Sequence, residues 1–424
     1  MNPFLEKPKS LISYFQNWKE LYPKSYNKFQ VNPYTKARII LMNGTEFEAN
    51  WFSHNFARHT ANDDLRRELA LTRSQEKQQQ IKISLLKPIN ESILEHTISY
   101  EQLAVDLTAE LAKREKDCYV KKALDFALLE DFDHLYRYSN LLQLEQGIKG
   151  ERLVGKYTEI MPGRPTIAHH RLNVDNVKRS INSKKSDKQS VLNTLIITAA
   201  EQQTMNYYMN VTNLAKSDLS RKLYMEIAQV EEEHVTQYES LQDSTATWLE
   251  MLLWHEYNEC YLYWSCYMTE TDPYVKCIWQ ENLDIEIAHL HKASELLQKY
   301  ENKNWQEVIP DGTFPEPISL HENIEYVRKV LENTVQFTGN FEDYINVNKL
   351  PKDANFFEYQ NIINPSIEIV PSHNVINSHI RQFGRDYRFE VAPNPIEELR
   401  NRRVDNTNVG REPNAAKSTD FFCN

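Results

Sequence analysis

Between Asn90 and Tyr300 apolar residues recur at every third or fourth position with polar residues between them. That is the period of amphipathic helices. The spacing predicts helices over 91–114, 119–143, 189–214, 218–242, 246–268 and 274–300. Short loops join all of them but the second and third, so sequence neighbours run antiparallel. The long connection, 144–188, carries MPGRPTIAHHRLNVDNV and the polar run NSKKSDKQ. Residues 1–89 show a weaker pattern: NGTEFEANWF reads as a turn with a short extended piece, and NDDLRRELALTRSQEKQQQ as a polar surface helix. After residue 300, Pro310, Pro315, Pro317, Pro351, Pro365, Pro371, Pro393 and Pro395 break the tail, with one helix over 319–336. The expected organisation is an N-terminal extension (1–89), an all-α domain (90–300: a bundle over 91–242 plus a hairpin over 246–300) and a mostly irregular C-terminal wrap (301–424).

Composition narrows the function classes. With only 9 glycines there is no phosphate-binding loop and no dinucleotide fingerprint. A net charge of -11 disfavours nucleic acid, whose binding depends on neutralising phosphates. No run approaches the roughly 20 apolar residues that span a bilayer, and the N-terminus lacks a signal peptide's apolar stretch. Five cysteines without framework spacing suit free thiols in a reducing compartment. The expectation is a cytoplasmic protein that binds neither membrane nor nucleic acid.

One seam changes the picture. Along 218–242 the buried stripe reads Tyr224, Ile227, Glu231, His234, Tyr238, Leu241, with an acid and an imidazole where apolar residues belong. Burying a polar group without a partner costs about 2–7 kcal/mol, and a carboxylate more. The unit recurs. The second helix has Leu124, Ala127, Asp131, His134, Tyr138, Leu141; the last has Trp279, Asn282, Glu286, His289, Ala293, Leu296. Thirty residues before each acid stands a glutamate: Glu101 before Asp131, Glu201 before Glu231, Glu256 before Glu286. Each midpoint falls in a predicted turn, so both acids of a hairpin lie about 22 Å from its loop at about 1.5 Å per residue. Glu130 competes with Asp131 as the acid near His134, but its register also turns Arg137 inward, which favours Asp131.

Two such hairpins face to face offer four carboxylates and two imidazoles at one level, a ligand set for two first-row transition metals. The chain resembles the ferritin-like superfamily of dinuclear iron carboxylate proteins, among them rubrerythrins, bacterioferritins, ribonucleotide reductase small subunits and several oxygenases. The family pattern is Glu, then Glu-x-x-His, a long crossover, Glu, then Glu-x-x-His. Here Glu101, Asp131 with His134, Glu201, and Glu231 with His234 carry it over 91–242, with Asp131 in place of the usual glutamate. The resemblance implies a ferritin-like four-helix bundle holding two iron ions, or manganese or a mixed pair. It implies a non-haem di-iron oxidase or oxygenase acting with dioxygen or peroxide on a small organic substrate, in a monomer or homodimer.

The third hairpin, with Glu256, Glu286 and His289, falls outside that pattern. It would form a further site, replace one of the other hairpins, or be a duplicate held by hydrogen bonds. In the crossover, Arg164 and Arg171 are candidates for binding an anionic substrate. Tyr138 and Tyr238 are candidates for donors to the ligand carboxylates. Two other readings compete: iron storage without catalysis, and a metal-free helical interaction protein.

Overall fold

The computed structural model describes residues 1–164, 170–384 and 388. Its main helices are α1 (Pro33–His59), α2 (Asp63–Ser84), α3 (Ile93–Arg114), α4 (Cys118–Gln146), α5 (Lys188–Leu214), α6 (Asp218–Ser240), α7 (Trp248–Thr269), α8 (Pro273–Glu301), α9 (Ile324–Thr334), α10 (Asn355–Ile363) and α11 (Pro371–Phe383). One antiparallel hairpin, β1 (Phe337–Asn340) with β2 (Asp343–Asn346), accompanies them. The protein is therefore predominantly helical, and no helix among the described residues is long and apolar enough to cross a membrane.

Helix ends follow local chemistry. Ser92 and Thr247 start α3 and α7 through reciprocal bonds with Glu95 and Glu250. Asp117, Ser217 and Asp272 cap α4, α6 and α8. Gly147 ends α4 in the left-handed conformation at φ 68.

The chain divides into two compact units. The first comprises Met1–Glu91, Ile181–Gln203 and Gln242–Ser319. It is built on two helical hairpins, α1/α2 and α7/α8, with α1 against α7 and α2 against α8, and it includes α5 as far as Gln203. Here the structure differs from expectation. NGTEFEANWF is no turn but the middle of a long helix. Gly44 is there for close approach: a Cβ would come 2.5 Å from the Gln203 side chain, whose amide donates to the Ile40 carbonyl at 2.6 Å. The N-terminal segment is thus half of a four-helix arrangement whose other half is the hairpin read as an addition to another bundle.

The second unit comprises Ser92–Ser180, Thr204–Leu241 and the chain from Leu320. Helices α3 and α4 form its hairpin, α6 packs on α4, and α9 and α11 lie over that core. The interior is a continuous apolar cluster that includes Leu128, Phe132, Leu135, Leu223, Ile227, Val330, Val375 and Ile376. From Leu320 to Gly384 the tail belongs to this unit, with one helix near the predicted place and two more besides, whereas its stretch up to Ser319 belongs to the first unit. Cys118, Cys260, Cys266 and Cys277 are free thiols, and Cys423 lies outside the described residues.

The tail's packing carries a pH dependence. His379 on α11 is buried, with Nε2 3.0 Å from Gln143 Oε1. Burial and the neighbouring Arg388 push its pKa down to about 4. The folded state therefore binds fewer protons than the unfolded chain between that value and the ordinary histidine value of about 6.5. Stability from this group is present above about 6.5 and lost as the pH falls towards 4. The urea midpoint should drop across that window with up to one proton's slope from this site, and His379→Gln should flatten it. An unchanged slope in the variant would refute the assignment.

Candidate metal centre

In the second unit α3, α4 and α6 carry the seam residues to one buried level. Glu101, Asp131, His134, Glu231 and His234 are each at most 1% exposed in their side chains or as residues. Ligand atoms of Glu101, Asp131, His134 and Glu231 all lie within 4.8 Å of one another, and those of Asp131, Glu231 and His234 do the same. Asp131 and Glu231 belong to both groups. His134 Nδ1 is 2.9 Å from Glu231 Oε1. His234 Nδ1 is 3.1 Å from Glu231 Oε2 and 3.4 Å from Asp131 Oδ1. Burial alone would raise the Glu231 carboxyl, yet hydrogen bonds and charge from the two histidines bring it down to about 2.

Glu130, the rival of Asp131, has a different set of partners. Its Oε1 accepts from Arg171 at 2.7 Å and, more weakly, from Arg164 at 3.4 Å. Its Oε2 sits 2.5 Å from His234 Nε2. Glu130 thus braces the far side of an imidazole whose near side faces the cluster. The argument from Arg137 does not hold, however. That residue is inside as well, forked onto Asp133 at 3.1 and 3.2 Å, because α4 is buried around nearly its whole circumference.

The crossover reaches the interior through Gly163. A Cβ there would lie 3.1 Å from the Leu129 carbonyl and the Asp133 nitrogen of α4. Arg164 then donates to the Phe126 carbonyl at 2.9 Å and the Thr334 carbonyl at 3.0 Å. Arg171 also bonds Asn176 Oδ1 at 2.7 Å and pairs with Glu233 at 3.3 Å. The anion these arginines meet is internal. Burial brings Arg164 down to about 10, whereas for Arg171 the charges of Glu130 and Glu233 outweigh burial and raise it. The residues of the crossover just after Arg164, up to His169, lie outside the described ones.

Buried phenols surround this level. Tyr208 donates to Glu101 Oε1, so a residue the seam did not select supplies the carboxylate donor expected of Tyr138. Tyr138 packs 5.2 Å from Tyr208 and 4.9 Å from Tyr224, ring centre to ring centre, and its hydroxyl has no hydrogen-bond partner among the described residues. Burial first, and nearby carboxylates and phenols second, raise the pKa of all three well above the usual tyrosine value.

The remaining candidates lie in the first unit. Glu201 is buried on the part of α5 that belongs there. Glu256, Glu286 and His289 come together on α7 and α8: His289 Nδ1 is 3.2 Å from Glu286 Oε2 and 3.8 Å from Glu256 Oε2. Glu46 and Glu76 join the same interior from α1 and α2, and the sequence reading missed both. Their signal was present, since Glu76 stands thirty residues after Glu46 and is followed at the third position by Gln79. A glutamine in the histidine place hid the fourth copy of the repeat.

Comparison with known proteins finds no matching family model, no matching curated protein and no matching solved structure.

Proposed function

We propose that the second unit is a ferritin-like dinuclear metal centre and that the protein is an oxidoreductase using dioxygen or peroxide to oxidise a small organic substrate. The supporting observation is the convergence of three carboxylates and two imidazoles, from three helices, on one buried level with Asp131 and Glu231 common to two ligand groups. The donor set suits iron, manganese or a mixed pair. Without a cation, the nearby carboxylates would repel in a medium of low dielectric.

Bound iron would supply the electrons that reduce dioxygen or peroxide, and the chain's own residues would set the conditions. Glu101, Asp131, His134, Glu231 and His234 would hold the metal, with Asp131 and Glu231 common to both ligand groups. His234, donating from Nε2 to Glu130, keeps its Nδ1 lone pair for the cluster, and the arginines fix Glu130 in that role. Tyr208 orients Glu101 through its hydroxyl. The apolar residues of α4, α6, α9 and α11 exclude bulk water.

Anaerobic loading with Fe(II) should give at least two ions per chain, and admission of air should then produce oxygen uptake with an optical transient. Uptake that rises with an added organic substrate distinguishes oxidation chemistry from iron storage. Fewer than one ion per chain would leave only the metal-free helical reading.

A further inference from the structure

The first unit contains a concentration of buried carboxyl groups that the proposed function does not use. Glu46 on α1, Glu76 on α2, Glu256 and Glu259 on α7 and Glu286 on α8 are all within 2% of complete burial. Among the described residues no lysine or arginine forms an ion pair with any of them, although burying an unpaired carboxylate is among the costliest things a fold can do. Lys82 pairs with Glu281, Arg38 with Glu270, and His255 with Glu48; Arg73 donates to Ser53.

The oxygens of the cluster are short of donors. Glu259 is 1% exposed, and among the described residues neither of its carboxylate oxygens has a hydrogen-bond partner. Glu46 Oε2, Glu76 Oε2 and Gln79 Oε1 are likewise buried without one. The donors that do exist hold the geometry: Tyr263 to Glu46 Oε1, Gln79 Nε2 to Glu286 Oε1 at 2.6 Å, and Asn282 to the Tyr263 oxygen at 3.1 Å. His289 is bound at its far nitrogen, Nε2, with Gln75 Oε1 at 3.1 Å, so its Nδ1 faces the carboxylates. Ligand atoms of Glu76, Glu256 and His289 lie within 4.8 Å of one another, as do those of Glu256, Glu259 and Glu286.

We propose that the first unit holds a second metal centre, formed by Glu76, Glu256, Glu286 and His289 with Glu46 and Glu259 beside them, and that it takes a hard divalent ion of the Mn(II) type. The two ligand groups share Glu256, so that residue is central. The preference follows from the donors: five carboxylates, one imidazole and no thiolate within the set, with Gln79 supplying an amide where a second imidazole would make the site softer. This centre stands apart from the one in the second unit in residues and in composition, and its occupancy does not depend on that unit's reaction.

Mn(II) alone is the probe. In a protein carrying Glu231→Gln and His234→Ala, which disable the second unit's ligands, equilibrium dialysis and the loss of the free Mn(II) electron paramagnetic resonance signal should still report a bound ion. Adding Glu256→Gln should weaken that binding by more than the roughly 100-fold typical of losing an outer-shell partner. His289→Ala in the same background should weaken it similarly. Glu256→Gln is isosteric with the carboxyl group it replaces, so the metal-free protein should keep its circular dichroism and unfold no more easily. If the second-unit variant retains its fold and binds no Mn(II), or if binding survives Glu256→Gln unchanged, the proposal fails. Neither outcome bears on oxygen uptake by the second unit.

Discussion

Glu231→Gln is expected to abolish metal-dependent oxygen uptake while leaving the protein folded. Glu231 reaches both histidines, through Oε1 at 2.9 Å from His134 Nδ1 and Oε2 at 3.1 Å from His234 Nδ1. It is also common to both ligand groups of the second unit. The amide keeps the shape but loses the charge, and one of its two ends becomes a donor that repels a cation. Outer-shell changes at metal sites already cost about 10–100-fold in affinity, so removing a shared ligand should exceed that range. Anaerobic Fe(II) titration of wild type and variant measures it, with uptake on air exposure as the second readout. Equal iron affinity in the two proteins would remove Glu231 from the site and the proposed function with it.

Arg171→Ala should be the most destabilising single change in the second unit outside its apolar core. Glu130 is fully buried, and Arg171 Nη1 at 2.7 Å is its closest guanidinium, with Arg164 0.7 Å further away. Breaking a buried pair from one side typically costs about 3–5 kcal/mol because the other charge is left behind. The residual contact with Arg164 puts the expected loss at about 3 kcal/mol, read from urea unfolding with the metal removed. Introducing Glu130→Gln into the Arg171→Ala protein takes away the abandoned charge and should restore a large part of the loss. A double variant no more stable than the single one would show that the cost arises elsewhere, for instance at Glu233 or Asn176, which Arg171 also engages.

Much of this was readable from residues alone, for a definite reason. In α3 to α8 the apolar period is strong and the caps are conventional, so element type and extent followed from the pattern. The Asp131/His134 and Glu231/His234 seams stood out because a carboxylate and an imidazole interrupt an otherwise apolar stripe. The N-terminal hairpin was opaque on the same grounds. Its inward positions include Glu46, Gln75, Glu76 and Gln79, which read as a solvated face, and Gly44 reads as a turn until Gln203 is seen against it. Arg164 and Arg171 read as candidates for an anionic substrate because a loop sequence does not reveal that Gly163 brings it against a helix backbone. The β1/β2 hairpin is short and its burial depends on the surrounding tertiary structure, so no period announced it.

The chain changes unit after Glu91, Ser180, Gln203, Leu241 and Ser319, so each unit is stitched from three separate stretches. Neither can be excised by trimming an end, and no single cut yields an intact half. Neither end-to-end fusion of two ready-made modules nor a single insertion of one into the other would produce such an order. A bisected gene would encode two fragments that must reassemble before either ligand set exists.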